Sequence, residues 1–183
     1  VYVFSFNFRV GEFMRTTAVI FLLIVLSISA SANNVKISNV RLVDQDVTAN
    51  TTKLMFDVYW ENSWRISGTP NNWDAVWVFA KYSKDNGATW LHCTLEMSGS
   101  SGPAGSTVDV TSDGKGAYVF RAGNGQGTID WRSVKLTWNY GDDGLEDQEA
   151  VKLAVMGIEM VYVPEGIFAV GSGGNGLNEF SLT

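Results

Sequence analysis

The sequence predicts an all-β protein: an antiparallel β-sandwich, immunoglobulin-like or similar, followed by one more β-hairpin near the C-terminal end. After residue 32, short runs rich in β-branched and aromatic residues alternate with clusters of Gly, Asn, Asp and Ser. No segment in that region keeps apolar residues at helical spacing. The sequence has a single cysteine, so no intramolecular disulfide is available within it and a hydrophobic core has to hold the fold.

The first 32 residues have the pattern of a secretory leader with an extra segment in front. A short basic region and an unbroken apolar run, Ala18–Ile28, precede a small-residue cleavage site, Ala30-Ser31-Ala32. The apolar run is shorter than the roughly 20 residues that span a bilayer. Residues 14–32 are therefore predicted to be a signal peptide, and residues 1–13 to be read-through of an untranslated region. The mature chain is expected outside the cytoplasm (secreted, periplasmic or at the cell surface), with no membrane span after cleavage.

Residues 33–156 are predicted to form the sandwich. Each run has the length of one strand, and turn-forming residues separate it from the next. The predicted strands are Val35–Val43, Leu54–Trp60, Ala75–Tyr82, Trp90–Leu95, Thr107–Val110, Ala117–Arg121, Val134–Tyr140 and Ala150–Val155.

The charge balance excludes one class of partner. The formal net charge is −6, and no basic residues cluster along the sequence. Proteins that bind nucleic acid or anionic lipid neutralise phosphates with Lys and Arg, so neither partner is expected here.

The segment Ser83-Lys84-Asp85-Asn86-Gly87-Ala88-Thr89-Trp90 matches the Asp-box pattern S-x-D-x-G-x-T-W of sialidases and other secreted β-proteins. Asn86-Gly87 suits the positive φ angles of a tight hairpin, and Asp85 is placed to accept hydrogen bonds from the turn. A single copy predicts a hairpin and no catalysis, because a sialidase requires several such hairpins and an arginine triad.

Aromatic residues around positions 59–77 give the best case for a binding site. Trp60 and Trp64, with the amides of Asn62 and Asn71, are the candidate ligand-binding residues, since aromatic faces and a few polar groups suit sugar rings. The alternative interpretation is that these aromatic residues belong to the core or anchor loops. Strand alternation places Trp73, Trp77 and Phe79 on one face, where they are expected to form an aromatic stripe in the core.

The sequence offers no residue set for catalysis, cofactor binding or metal binding. Cys93 lies in an apolar run and is expected to be a small buried hydrophobe. His92 is the only histidine, too few for a zinc site. The acidic run Asp142–Asp147 contains oxygen ligands suited to Ca²⁺ but lacks EF-hand spacing, and is interpreted as a solvated turn.

Gly157-Ile158-Glu159-Met160-Val161-Tyr162-Val163-Pro164-Glu165-Gly166-Ile167-Phe168-Ala169-Val170-Gly171-Ser172 resembles the opening of a formylglycine-generating-enzyme (sulfatase-modifying factor) domain, whose first strands read close to G-M-E-M-V-x-V-P-x-G-x-F-x-M-G-S. Val170 departs from that pattern, which has Met there. The resemblance implies that residues 157–183 begin such a domain, that this domain is truncated at Thr183, and that residues 33–156 are an accessory domain before it. It also implies copper, and possibly calcium, only in the missing downstream part, where the family's cysteine pair lies; Cys93 does not correspond to that pair.

Two functions are compatible with these observations. The first is a non-catalytic extracytoplasmic accessory domain that positions the downstream domain of the same chain, its main expected partner. The alternative is a glycan- or protein-binding module of a cell-surface or motility protein, with an extracellular glycan or a surface protein as partner. Whether the full-length protein is an oxidase or a non-catalytic relative stays open, because no catalytic site is predicted within this sequence.

Overall fold

A computed structural model describes residues 33–69 and 71–162. These residues form antiparallel strands and contain no helix, so the prediction of an all-β fold is confirmed. The strands are β1 (Lys36–Asp46), β2 (Thr51–Ile66), β3 (Asn72–Ser83), β4 (Leu91–His92), β5 (Ser106–Val110), β6 (Ala117–Arg121), β7 (Gly125–Asn139) and β8 (Lys152–Tyr162). The predicted signal peptide and most of the predicted C-terminal hairpin lie outside the described residues.

Each predicted run coincides with an observed strand, but the lengths differ. β2 and β7 are much longer than their apolar runs because they pair with each other from Thr51↔Asn139 to Arg65↔Gly125. The predicted strand Trp90–Leu95 is reduced to the two residues of β4. Beyond β4 the chain leaves β3, and the Leu95 N–H donates to the carbonyl oxygen of Gly114 instead.

The strands form one curled sheet around β2 and β3. β2 lies between β1 and β7. One edge of β3 pairs along its whole length with β8, while its other edge pairs in succession with β2, β6 and β4. β5 extends the sheet beyond β6.

The sheet curls at the connection between β2 and β3, which share only the pairs Arg65↔Trp73 and Ile66↔Asn72. Inward-facing residues of β2, β3, β6 and β7 all belong to one buried cluster. Along β2, for example, Leu54, Phe56, Val58 and Trp60 are all completely buried, as expected for one face of a strand with a two-residue repeat. Burial of this apolar surface is the main favourable contribution to folding.

Asp57 stabilises two irregular points of the sheet. The register shifts between Ser38 and Arg41 on β1, and again where Phe56 and Val58 pair with β7. Asn39 and Ser133 take positive φ angles at these bulges, 53° and 61°. Asn39 Nδ2 donates to Asp57 Oδ2 at 2.7 Å and the Ser133 N–H donates to Asp57 Oδ1 at 2.9 Å. These two hydrogen bonds lower the pKa of Asp57, helped by the positive charge of Arg132.

β8 passes without a break through the position where a domain boundary was predicted, near Met156. Gly157 pairs with Val78, and the pairing continues through Tyr162 with Trp73. The first residues that resemble the formylglycine-generating family therefore form the second half of a strand whose first half belongs to the curled sheet. Val163–Ser172, the rest of that resemblance, lie outside the described residues.

No helix that is long and apolar enough to cross a membrane occurs in the described ranges.

Asp57→Asn should destabilise the protein most at neutral pH. The folded state lowers the Asp57 pKa, so its contribution is fully present above the unfolded value of about 3.9 and is lost as pH falls below it. We expect a loss of about 1–3 kcal/mol at pH 7 that shrinks between about pH 4 and pH 2. Urea unfolding across this range measures it. Asp130→Asn, whose side chain is 52% exposed, is the control and should change stability little; a pH-independent loss in Asp57→Asn would contradict the assignment.

Candidate functional site

Trp60 belongs to the core. Its exposed fraction is 0%, and its indole Nε1 donates to Asp74 Oδ2 at 2.6 Å. The ring of Trp131 packs edge-on against it, with ring centroids 5.3 Å apart. Trp60 is therefore unavailable for stacking against a ligand, and the core interpretation is the one that applies to it.

The other three predicted ligand-binding residues do not converge with Trp60. Trp64 lies within β2, half-buried, and its Nε1 donates to Asn72 Oδ1 at 2.7 Å. Asn62 sits at a register shift of β2 with φ of 55°, and its Nδ2 donates to Asn33 Oδ1 at 3.0 Å. Asn71 is exposed immediately before β3. Internal contacts thus already occupy the indole N–H of Trp64 and the amide of Asn62.

Asp74 is a fully buried carboxylate that these contacts surround. It accepts hydrogen bonds from Trp60 Nε1, from Ser63 Oγ at 2.9 Å and from the Trp64 N–H at 3.0 Å. All three donors belong to β2, and Asp74 belongs to β3. A buried carboxylate with this many donors has a structural explanation without a ligand.

The predicted aromatic stripe exists but faces away from the core. Trp73, Trp77 and Phe79 alternate along β3 as expected, yet all three are only partly buried, whereas Val76, Val78 and Ala80 face inward and are completely buried. The prediction that the stripe lies in the core is wrong. Smaller aliphatic residues take the core positions because the β3 core face packs closely against other strands.

Aromatic and apolar residues of neighbouring strands extend this stripe into an outer face. Cross-strand pairing puts β8 beside β3 on one side and β6 on the other. We call this surface the outer aromatic face, and it comprises Trp73, Trp77, Phe79, Tyr118, Phe120, Met156, Ile158, Met160 and Tyr162. Tyr118 and Phe120 are residues that the sequence analysis missed. The only available signal was the alternation of small and aromatic residues in Ala117-Tyr118-Val119-Phe120, which does not say which face is buried.

One end of the outer aromatic face is an ordered stack. The rings of Trp73 and Tyr162 are parallel within 12°, with centroids 4.2 Å apart. The Arg65 guanidinium lies 5.0 Å from the Trp73 centroid and 5.2 Å from the Phe120 centroid, a cation–π arrangement. Arg65 Nη1 also donates to the Arg121 carbonyl oxygen at 2.6 Å, which fixes the guanidinium in place.

A cavity of about 310 Å³ opens beside this stack. Its walls include Trp73, Tyr118, Phe120, Met160 and Tyr162, all from the outer aromatic face. Asp109 of β5, opposite Tyr118 in register, adds an exposed carboxylate. We call this the outer aromatic cavity.

A second cavity, of about 260 Å³, lies between β1 and the 141–151 segment. Its polar groups bond to one another: Tyr140 Oη donates to Asp147 Oδ1 at 2.7 Å, and Gln45 Nε2 donates to Tyr140 Oη at 3.2 Å. The bond to Asp147 raises the pKa of the Tyr140 phenol. These pairings leave fewer groups free to receive a ligand than the outer aromatic cavity does.

Part of the acidic run Asp142–Asp147 is used inside the fold. Asp143 Oδ2 accepts from Trp138 Nε1 at 2.6 Å, and Asp143 Oδ1 accepts from Thr94 Oγ1 at 2.7 Å. Within the part of the chain that the structure describes, no three His, Cys, Asp or Glu side chains are grouped to hold a metal ion. The residues present do not fit copper either, since Cys93 is completely buried.

The Asp-box segment forms the tight turn between β3 and β4. Asn86 and Gly87 have φ angles of 60° and 101°. Asp85 accepts from Thr89 Oγ1 at 2.6 Å, from the Thr89 N–H at 2.8 Å and from Ser83 Oγ at 2.8 Å. These bonds, those of Thr89 above all, hold the pKa of Asp85 far below its usual range. The predicted local hairpin is confirmed, and the carboxylate that defines the motif serves the turn.

Comparisons with protein-family models, with curated proteins and with solved structures found no match to this chain.

Asp74→Ala should strongly destabilise the protein, because it leaves buried donors on Trp60, Ser63 and Trp64 without an acceptor. The expected loss is about 3 kcal/mol or more, measured as a lower midpoint of urea unfolding. Asp142→Ala, an exposed aspartate, is the matched control. Equal effects of the two substitutions would contradict the role of Asp74.

Cys93 should be unreactive in the folded protein. Burial raises the pKa of its thiol, and the charge of Asp143 raises it further. At pH 8 we expect 5,5′-dithiobis(2-nitrobenzoate) to label Cys93 slowly without denaturant and rapidly in urea. Labelling of the folded protein at the rate of a free thiol would show that Cys93 is accessible.

Proposed function

We propose that residues 33–162 are a non-catalytic accessory module that holds the segment following Tyr162 in a fixed orientation. In this proposal the curled sheet is an immunoglobulin-like sandwich, and residues 157–183 open a domain similar to the formylglycine-generating family. The observation that carries the proposal is β8, a single strand that contains both the end of the module and the start of the family-like segment.

Pairing and packing both restrain β8. Every residue from Lys152 to Tyr162 pairs with a residue of β3, so backbone hydrogen bonds run along its full length. Gly157 packs where a Cβ atom would lie only 2.9 Å from Val76 Cγ1 and 3.1 Å from Val35 Cγ1. Asn33 Nδ2 also donates to Glu159 Oε1. β8 is thus held by its neighbours at the very residues that resemble the family.

The last described pair adds a side-chain restraint. Tyr162 stacks on Trp73, and Arg65 and Phe120 lie against the same indole. A chain leaving from Tyr162 therefore starts from an ordered position, and a short connection of this kind limits the relative motion of two domains.

The coding sequence after Thr183 is the first test, because the proposal requires it to encode the remainder of a domain of this kind. The function is tested next by spin labels on the full gene product, one at Val47→Cys in the module and one at Asn175→Cys beyond β8. Buried Cys93 should not take up label. We expect a single narrow distance distribution, as narrow as that of Val47→Cys paired with Met97→Cys within the module.

The matched variant carries a four-residue Gly-Ser insertion between residues 162 and 163, which should broaden the distribution because Gly-Ser linkers are flexible. A parent distribution as broad as that of the insertion variant would overturn the positioning role. A coding sequence that ends without such a domain would overturn the family resemblance instead.

A further inference from the structure

We infer that the outer aromatic cavity is a binding site for a neutral carbohydrate, one or two sugar rings of a larger glycan. This goes beyond the positioning role and involves none of the four residues that the sequence analysis selected for glycan binding. The site is built on β3, β5, β6 and β8.

The walls have the composition that a sugar ring requires. Aromatic faces pack against the apolar C–H face of the ring, and a few polar groups take its hydroxyls. Trp73, Tyr118, Phe120 and Tyr162 supply the aromatic surface, and Met160 adds an apolar side chain. The volume of about 310 Å³ is at the lower end of the roughly 300–1,000 Å³ of small-molecule sites, which suits one or two rings.

Asp109 is the polar group that this site leaves unused. Its carboxylate is exposed at the cavity and makes no hydrogen bond or ion pair with any residue that the structure describes. Other aspartates of the chain, including Asp57, Asp74, Asp85 and Asp143, accept bonds from the protein itself. A carboxylate accepts hydrogen bonds well, and a sugar offers hydroxyl donors.

The two charges at the site favour a neutral ligand over a charged one. A cationic ligand would be attracted by Asp109, but Arg65 already places its positive charge against the Trp73 and Phe120 rings. An anionic ligand would meet the unpaired Asp109 carboxylate. A nucleobase could stack on the rings, but single-stranded nucleic acid also needs a positively charged groove, and this chain has a net charge of −6. A neutral polyol avoids all three costs.

The walls are already ordered before any ligand arrives. Trp73 is held between its stack with Tyr162 and the guanidinium of Arg65, and Tyr118 packs against Trp77 with centroids 4.8 Å apart. Arg65 is fixed in turn by the Arg121 carbonyl. A ligand therefore loses little affinity to the ordering of side chains.

The test is affinity gel electrophoresis of the full chain in gels that contain a soluble neutral polysaccharide: xyloglucan, laminarin, mixed-linkage β-glucan or galactomannan. Polygalacturonate and chitosan serve as the anionic and cationic probes. We expect retardation by at least one neutral polysaccharide and none by the charged ones. Cello-, laminari- or manno-oligosaccharides of matching linkage should then bind in calorimetry.

Two substitutions locate the site. Tyr118→Ala removes part of the aromatic wall and should weaken binding about tenfold or more, a usual effect for a central aromatic contact. Asp109→Asn keeps the shape and should weaken binding severalfold, since an amide oxygen is a weaker acceptor than a carboxylate. Trp90→Ala, in the β3–β4 turn and 38% exposed, is the control and should bind like the parent. Thermal unfolding checks that each variant is folded.

Several results would overturn the inference: no retardation by any of the four neutral polysaccharides, retardation by polygalacturonate or chitosan alone, or binding that survives both Tyr118→Ala and Asp109→Asn. Loss of binding in Trp64→Ala with both of those variants unaffected would move the site to the residues that the sequence analysis selected. The spin-label distances are independent of these results, so failure of one proposal does not decide the other.

Discussion

The curl of the sheet depends on the carboxylate of Asp74. β2 and β3 share only two register pairs, so backbone hydrogen bonds alone tie these two long strands together over a very short distance. Asp74 adds three hydrogen bonds from β3 to β2 at a point that water does not reach. Ser63, one of its donors, also accepts from Arg121 Nε at 3.0 Å, which brings β6 into the same network. Removal of such a carboxylate from water is costly, and its donors offset that cost only in this arrangement of strands.

The same device appears twice more. Asp143 holds the indole of Trp138, and Asp57 satisfies donors at two bulges of neighbouring strands. The described residues contain one cysteine, which is buried and unpaired. The fold therefore combines a hydrophobic core with aspartates that fix the two largest buried side chains, Trp60 and Trp138, in one orientation each. Directional bonds of this kind select among the many ways in which an apolar core can pack.

The outer aromatic face has a different origin. β3 and β6 carry apolar residues on both faces, with aliphatic side chains inside and aromatic ones outside. Burial inside requires shapes that fit closely between strands, and Val76, Val78 and Val119 meet that requirement. The wide rings of Trp73, Trp77 and Tyr118 then lie on the open side and keep part of their surface accessible. That side of the sheet also carries the stack at the exit of β8, so the binding surface and the point of departure of the chain share residues.

The sequence by itself determined the strands, their order and the local turn at Asp85. These features depend on alternation, on turn-forming residues and on hydrogen bonds between residues a few positions apart, all of which are written along the chain. Only the tertiary structure decided which face of β3 is buried, that Trp60 belongs to the core, and that Asp109 meets Tyr118 at a cavity. In a strand whose two faces are both apolar, alternation separates the faces but does not say which one meets the core. That choice follows from which strands pair with it, and β8 reaches β3 from some seventy residues further along the chain. The hydrogen-bond partners of Asp74 and Asp57 depend on the same long-range pairing, so composition and spacing carried no signal for them.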